Sequence, residues 1–181
     1  RYGFHATLKA PFELGADSSA ADLARAADVF VATIEPFVLP RLRVTVLDGF
    51  LALTPEANCE PLAALAADTV IAFDRFRRPL SDADFARRNP DRLTTRQVSN
   101  LQKWGYPHVF EDFRFHMTLT GPLVTAEAST LASRLEDYLA PVLAERITVD
   151  AIAIFVEDEA GAPFRVLSTH SFGARAHRRS A

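Results

Sequence analysis

A chain of 181 residues, 49% hydrophobic and 24% charged, has the composition of one globular domain or of two small lobes sharing a core, which excludes wholesale disorder. Its 20 basic and 23 acidic side chains leave a formal net charge of -3, which argues against a broad basic surface for nucleic acid but leaves room for a local anion pocket. Cys59 is the only cysteine, so an intrachain disulfide and a cysteine-rich zinc site are excluded, and no apolar run approaches the roughly 20 residues that span a bilayer. A reducing, cytoplasmic setting is therefore expected. The chain opens at Arg1 without a methionine, which implies that a preceding segment was removed.

Residues 2–9 alternate: Tyr2, Phe4, Ala6 and Leu8 share one face, and Gly3, His5, Thr7 and Lys9 the other. Period two with one apolar face predicts a half-buried strand. Pro11 and Gly15 interrupt it, and Ser18 or Ser19 is placed to cap a helix running to about Glu35. Strands follow at about 41–47 and 49–54, joined by a tight hairpin at Asp48-Gly49. An alanine-rich helix covers roughly 57–73. From Arg75 to about Asp112 the chain is arginine-rich, with capping-box spacings at Ser81/Asp84 and Thr94/Gln97, which predicts two short helices ending near Trp104-Gly105. Residues 113–120 alternate again, with Arg114, His116, Thr118 and Thr120 on the polar face. A helix over 126–140, strands near 146–156 and 164–172, and a turn at Gly161-Ala162-Pro163 close the chain. The tail from Arg175 to Ala181 is expected to fray.

The informative event is an internal repeat. Placing His5 on His116 also superposes Phe4 on Phe115, Thr7 on Thr118, Leu8 on Leu119 and Pro11 on Pro122. With five histidines and thirteen threonines, chance supplies roughly a third of one His-x-Thr match, so one copy alone would carry nothing. Two copies on two similar strands, each continuing as helix, strand, strand, carry much more. The repeat predicts a bilobal α+β fold with a duplicated strand-helix-strand-strand unit. Its first lobe would be about 1–74, a helical insertion about 75–112 and the second lobe about 113–174.

The strings FHATL and FHMTL resemble the paired His-x-Thr/Ser motifs of the two-histidine (2H) phosphoesterase superfamily, the LigT-like fold. The longer strings RYGFHATLKAPF, WGYPHVFEDF and RFHMTLTGPL resemble an uncharacterised branch of it linked to phosphonate-utilisation gene clusters. The resemblance covers nearly the whole chain. It implies a single 2H-type domain, hydrolysis of a cyclic nucleotide or phosphoribosyl cyclic phosphate, or RNA-end chemistry, with His5, His116, Thr7 and Thr118 as the catalytic set. It also implies a further N-terminal strand and a tyrosine where His108 stands.

The chemistry of the residues leads to the same place. Imidazole, with an unperturbed pKa of about 6.5, both accepts and donates a proton near neutrality. Two histidines flanking one phosphate can deprotonate water on one side and protonate the leaving oxygen on the other, each step contributing about 10²–10⁴-fold. A threonine hydroxyl two residues on can hold a non-bridging oxygen. Lys9 and Arg114 would add cations to the rim, Thr120 would line the groove, and Tyr106 would stack on a base. No cofactor and no metal is expected, since no tight ligand spacing is present. The expected partner is a small phosphorylated substrate, with an RNA end as the alternative and no membrane or obligate protein partner. A phosphate-binding module without chemistry is the rival of another class. Arginine would serve mere binding better than paired histidines. His108 is expected to be structural or exposed, and His170 to sit at a core edge.

Overall fold

Asp48 and Gly49 adopt φ values of 47° and 89°, the left-handed pair that a two-residue type I′ hairpin requires. In the computed structural model, which describes residues 3–173, that turn joins β2 (Leu42–Leu47) to β3 (Phe50–Pro55) in register, Leu47 opposite Phe50 and Leu42 opposite Pro55. A short strand β4 (Met117–Thr118) adds antiparallel to β3, with Leu53 opposite Met117. Ala6 then bridges Met117 from the far side, also antiparallel. The remaining strands form two-stranded antiparallel pairs. β1 (Phe37–Val38) pairs with β5 (Thr148–Val149), and β6 (Ala151–Val156) pairs with β7 (Arg165–Ser171). With five helices named below, the described residues make a mixed α+β protein with small antiparallel sheets.

Two compact units are interleaved along the chain. The first holds residues 3–7, Val31–Glu60 and 115–173. It is gathered by strand pairing rather than chain order, because β3 pairs with β4, β1 with β5 and Ala6 with Met117. Helix α5 (Thr125–Leu143) packs on β2 and β3. Its stripe of Ala128, Leu131, Leu135, Leu139 and Leu143 recurs at helical spacing, and Ala128 and Leu143 are buried. Leu42, Leu51 and Leu53 are buried in the hairpin, each worth about 1.5–3 kcal/mol relative to exposure.

The second unit holds Leu8–Phe30 and Pro61–Arg114. Helix α1 (Ala20–Val31) starts at Ser19, whose hydroxyl accepts from Asp22 N while its own N–H donates to the Asp22 carboxylate, a reciprocal cap. It ends four residues before the expected Glu35, because Pro36 biases the preceding residue away from helix. Helix α2 (Glu60–Phe73) buries Leu62, Leu65, Ala66, Thr69, Val70 and Phe73, a stripe of one helical face. Phe73 meets Phe30 edge-on at 5.2 Å and Phe76 at 6.3 Å between ring centroids. The arginine-rich segment folds here as predicted. Helix α3 (Asp82–Arg87) is capped by Ser81, and α4 (Thr95–Trp104) carries a full Thr94/Gln97 capping box and ends at Gly105 in the left-handed region.

Two strand expectations contract. The run 2–9 becomes the single Ala6 bridge, since the chain passes to the second unit at Leu8; Tyr2 lies outside the described residues. The run 113–120 pairs in the sheet only at Met117 and Thr118, between a 3₁₀ turn at Phe110–Asp112 and the Gly121-Pro122 break. The Arg175–Ala181 tail lies outside the described residues. No helix among the described residues is long and apolar enough to cross a membrane.

Candidate active site

Alternation along four neighbouring segments assigns each residue to a face. Leu42, Val44, Leu51, Leu53, Met117 and Ala6 fall on one side of the sheet. Arg43, Thr45, Phe50, Ala52, Thr54, His116, Thr118, His5 and Thr7 fall on the other. The antiparallel Ala6–Met117 bridge sets His5 across from Thr118, and Thr7 across from His116. Directly opposite side chains stand about 4.5–5.5 Å apart at Cβ and diagonal ones about 7–8 Å. Alternation about that bridge makes the two histidines a diagonal pair. Thr7 and Thr118 are exposed and both histidines are half-buried. All four belong to the first unit.

Each imidazole leans on a phenylalanine. His116 lies 6.0 Å from Phe50 and His5 lies 5.7 Å from Phe155, both tilted. Ala52, between Phe50 and Thr54 along β3, is fully buried. On the other side, a β-bulge between Ile154 and Phe155 falls at the residue that packs on His5, where bulges commonly re-aim a side chain. The His5 Nδ1 is 2.7 Å from the Gly3 carbonyl oxygen. A carbonyl only accepts, so Nδ1 carries the proton, and in the neutral ring Nε2 is the acceptor nitrogen.

The rim residues fare differently. Lys9 belongs to the second unit, where its ammonium donates to Val70 O at 3.2 Å and to the Asp74 carboxylate at 3.3 Å. Its side chain is 9% exposed and is held in this internal ion pair. Burial, the largest influence, lowers the Lys9 ammonium from its ordinary value, with Asp74 opposing and Arg77 reinforcing that shift. Burial alone would raise the Asp74 carboxyl; the hydrogen bonds and charges of Arg77 and Lys9 outweigh it and hold the carboxyl below the ordinary range. Thr120 closes the sheet end: its hydroxyl accepts from Leu51 N at 3.0 Å and donates to Gly121 O at 2.8 Å. Tyr106, in the second unit, stacks edge-on with His108 at 5.5 Å and lies under the Arg88 guanidinium at 5.2 Å. Arg114 is exposed at the end of that unit. His108 is exposed, and His170 is buried with its Nε2 2.8 Å from the Ser168 hydroxyl.

Sequence reasoning passed over Phe50, Phe155, Arg43, Thr45 and Thr54. The last three were open to the alternation argument applied to the first His-x-Thr strand, since LRVTVL sets Arg43 and Thr45 on one face. The two aromatic contacts depend on tertiary packing. An open cavity of about 450 Å³ lies in the second unit among Asp22, Arg25, Arg75 and Phe76. It holds none of the expected residues, and Arg25 there is paired to Asp22. Among the described residues no group of three His, Cys, Asp or Glu side chains is arranged to hold a metal ion.

Residues 7–165 match the family described as "Protein of unknown function (DUF1045)". Two curated relatives carry the name ribose 1,5-bisphosphate phosphokinase PhnN. That of Janthinobacterium sp. (strain Marseille) is 40% identical over 168 residues, covering 91% of this chain and 37% of its own. That of Laribacter hongkongensis (strain HLHK9) is 35% identical over 175 residues, covering 92% of this chain and 38% of its own. The chain thus spans less than two fifths of the length of either relative.

Proposed function

The chain belongs to the DUF1045 family of proteins of unknown function, and from that premise we propose that it is a metal-independent phosphodiesterase of the 2H type, opening a cyclic phosphate on a phosphorylated ribose. The observation that carries this reading is the Ala6–Met117 bridge, which brings two His-x-Thr motifs 111 residues apart onto one face of one sheet. The element order supports the duplicated LigT-like fold. A helix, a two-residue strand and a pair of hairpin strands follow His5 (α1, β1, β2, β3), and the same sequence follows His116 (α5, β5, β6, β7).

In the proposed reaction water attacks phosphorus and gives its proton to His5 Nε2, the acceptor nitrogen that the Gly3 carbonyl selects. The bond from phosphorus to one ring oxygen breaks, and His116 protonates that oxygen as it leaves. The phosphate remains as a monoester on the other oxygen. Thr7 and Thr118 donate to the non-bridging oxygens, where negative charge builds.

The relatives' names bear on the substrate. Opening a 5-phosphoribosyl 1,2-cyclic phosphate at O2 yields ribose 1,5-bisphosphate, the compound that those names call a kinase substrate. This chain has only two lysines, Lys9 and Lys103, and no Gly-x-x-x-x-Gly-Lys-Ser/Thr loop to cradle nucleotide phosphates. We therefore assign the phosphokinase of those names to the part of the longer proteins that this chain does not match. Phosphonate breakdown, implied by the family resemblance, is the proposed setting.

The test is incubation in EDTA with the phosphoribosyl cyclic phosphate, 2′,3′-cyclic nucleotides and an RNA bearing a cyclic-phosphate end, followed by phosphorus NMR. Turnover of the first with a bell-shaped pH profile, abolished by His116→Ala, is expected. Preferred turnover of the RNA end would replace the substrate. A rate that needs added divalent metal, or that climbs steadily to high pH, would overturn the mechanism.

A further inference from the structure

The site face extends beyond the two motifs. Arg43 is opposite Thr54 and Thr45 opposite Ala52 in the β2–β3 register, and Ala52 is opposite Thr118 in the β3–β4 register. Ala6 bridges Met117 on the far side of β4. One line across the sheet therefore reads Thr45, Ala52, Thr118, and Arg43 and Thr54 form the next pair on the same face of β2 and β3. The Thr45 and Thr54 hydroxyls are hydrogen-bonded at 2.6 Å. Arg43 is exposed in mid-strand, and no ion pair engages it among the described residues. Arg25, Arg77, Arg78, Arg96 and Arg165, by contrast, are each tied to a carboxylate.

We infer that Arg43 binds a second, non-reacting phosphate of the substrate, an inference that rests on the phosphodiesterase reading. The reacting phosphate belongs between His5 and His116. At about 4.8 Å per strand, Arg43 starts roughly 10 Å from the His116 strand. An extended arginine side chain is long enough to cross one strand but too short to enter between the histidines. A phosphate carried at the far end of a sugar is what it can meet, and guanidinium takes such a group through two parallel hydrogen bonds. The Thr45–Thr54 hydroxyl pair, one proton of which is spent on the bond between them, supplies one further donor beside it. Selectivity for a sugar carrying a phosphate remote from the reacting ring follows.

The experiment compares 5-phosphoribosyl 1,2-cyclic phosphate with ribose 1,2-cyclic phosphate, which lacks the remote phosphate, on wild type, Arg43→Ala and Arg43→Lys. Arg43→Ala is expected to lower kcat/KM about 100-fold on the first substrate, the scale of a lost charged hydrogen-bond pair, and to leave the second unchanged. Arg43→Lys should recover part of the loss. An equal loss on both substrates, or no loss on either, overturns the inference. If wild type turns over neither, the phosphodiesterase reading fails by itself, and Arg43 is judged by calorimetry with ribose 1,5-bisphosphate and ribose 1-phosphate. Tighter binding of the bisphosphate that disappears in Arg43→Ala upholds the assignment. Equal binding, binding of neither, or a preference that survives the substitution ends it.

Discussion

Ala6 bridges Met117 antiparallel, a register in which alternation sets Thr7 across from His116 and Thr118 across from His5. The motifs are thus crossed in space: each histidine's nearest hydroxyl is contributed by the other copy. The spacing within one motif puts a threonine on its own histidine's face, yet two residues apart along a strand is about 6–7 Å, farther than the cross-strand neighbour. The crossed pairing has a measurable signature. Thr7→Val should move the His116 ring proton chemical shifts, followed by NMR at one fixed pH, more than Thr118→Val does, and the converse should hold for His5. Either substitution should lower kcat/KM by about 10²-fold, the usual loss for one donor to a developing oxyanion. Larger shifts within each motif than across them would mean that the two strands pair in another register.

Phe50 gives His116 an apolar wall, with the ring centroids 6.0 Å apart. Phe50→Ala should leave the imidazole with extra rotamers and lower kcat about tenfold, roughly 1.4 kcal/mol, with KM little changed. Phe50→Leu, which keeps apolar bulk, should recover most of the rate. If KM rises while kcat holds, the ring contacts substrate rather than His116.

Much of this was legible in the residues, for physical reasons that also mark where legibility stopped. The Asp48-Gly49 hairpin, the Ser81 and Thr94 caps and the polar face shared by His5 and Thr7 are local: each follows from backbone sterics or side-chain periodicity over a few residues. Partner choice between strands is not local. Nothing in FHATL or FHMTL says that Ala6 will bridge Met117, or that the two copies will contribute strands to one unit. Lys9 shows the other limit. Its position in the alternation sets it beside His5 and Thr7, but the chain changes units after Thr7, and a carboxylate 65 residues away takes the ammonium.

Thr120 offers a test that separates groove lining from architecture. Its hydroxyl accepts the Leu51 N–H, so Thr120→Val would leave that backbone donor without its acceptor at a half-buried site. A loss of about 1–2 kcal/mol in unfolding free energy is expected, with kcat/KM on the cyclic phosphate changed by less than about threefold. Urea unfolding alongside steady-state kinetics reads both. Unchanged stability with a large kinetic loss would return Thr120 to the substrate.

The Lys9–Asp74–Arg77 cluster predicts a pH dependence of folding whose sign follows from the two shifted groups. The Asp74 carboxyl titrates below its ordinary 3.8 in the folded chain, so its contribution is fully present above that value and is lost as pH falls through the lower folded value. The Lys9 ammonium titrates below 10.5, so the unfolded chain binds more protons in the window beneath 10.5, and stability from this group rises with pH across it. Asp74→Asn strands a lysine that is 9% exposed, and about 2 kcal/mol should be lost at pH 7, less than for a fully buried pair because Asp74 is 25% exposed. That deficit should shrink below pH 3.8, where wild type also loses the carboxylate. Lys9→Met should cost under about 1 kcal/mol, since the stem packs by Phe12 and Arg77 still satisfies Asp74, and it should leave turnover unchanged. Urea midpoints at pH 7 and pH 3, with kcat/KM at pH 7, decide the matter. A Lys9→Met protein of normal stability and lost activity would show that the ammonium meets substrate after all.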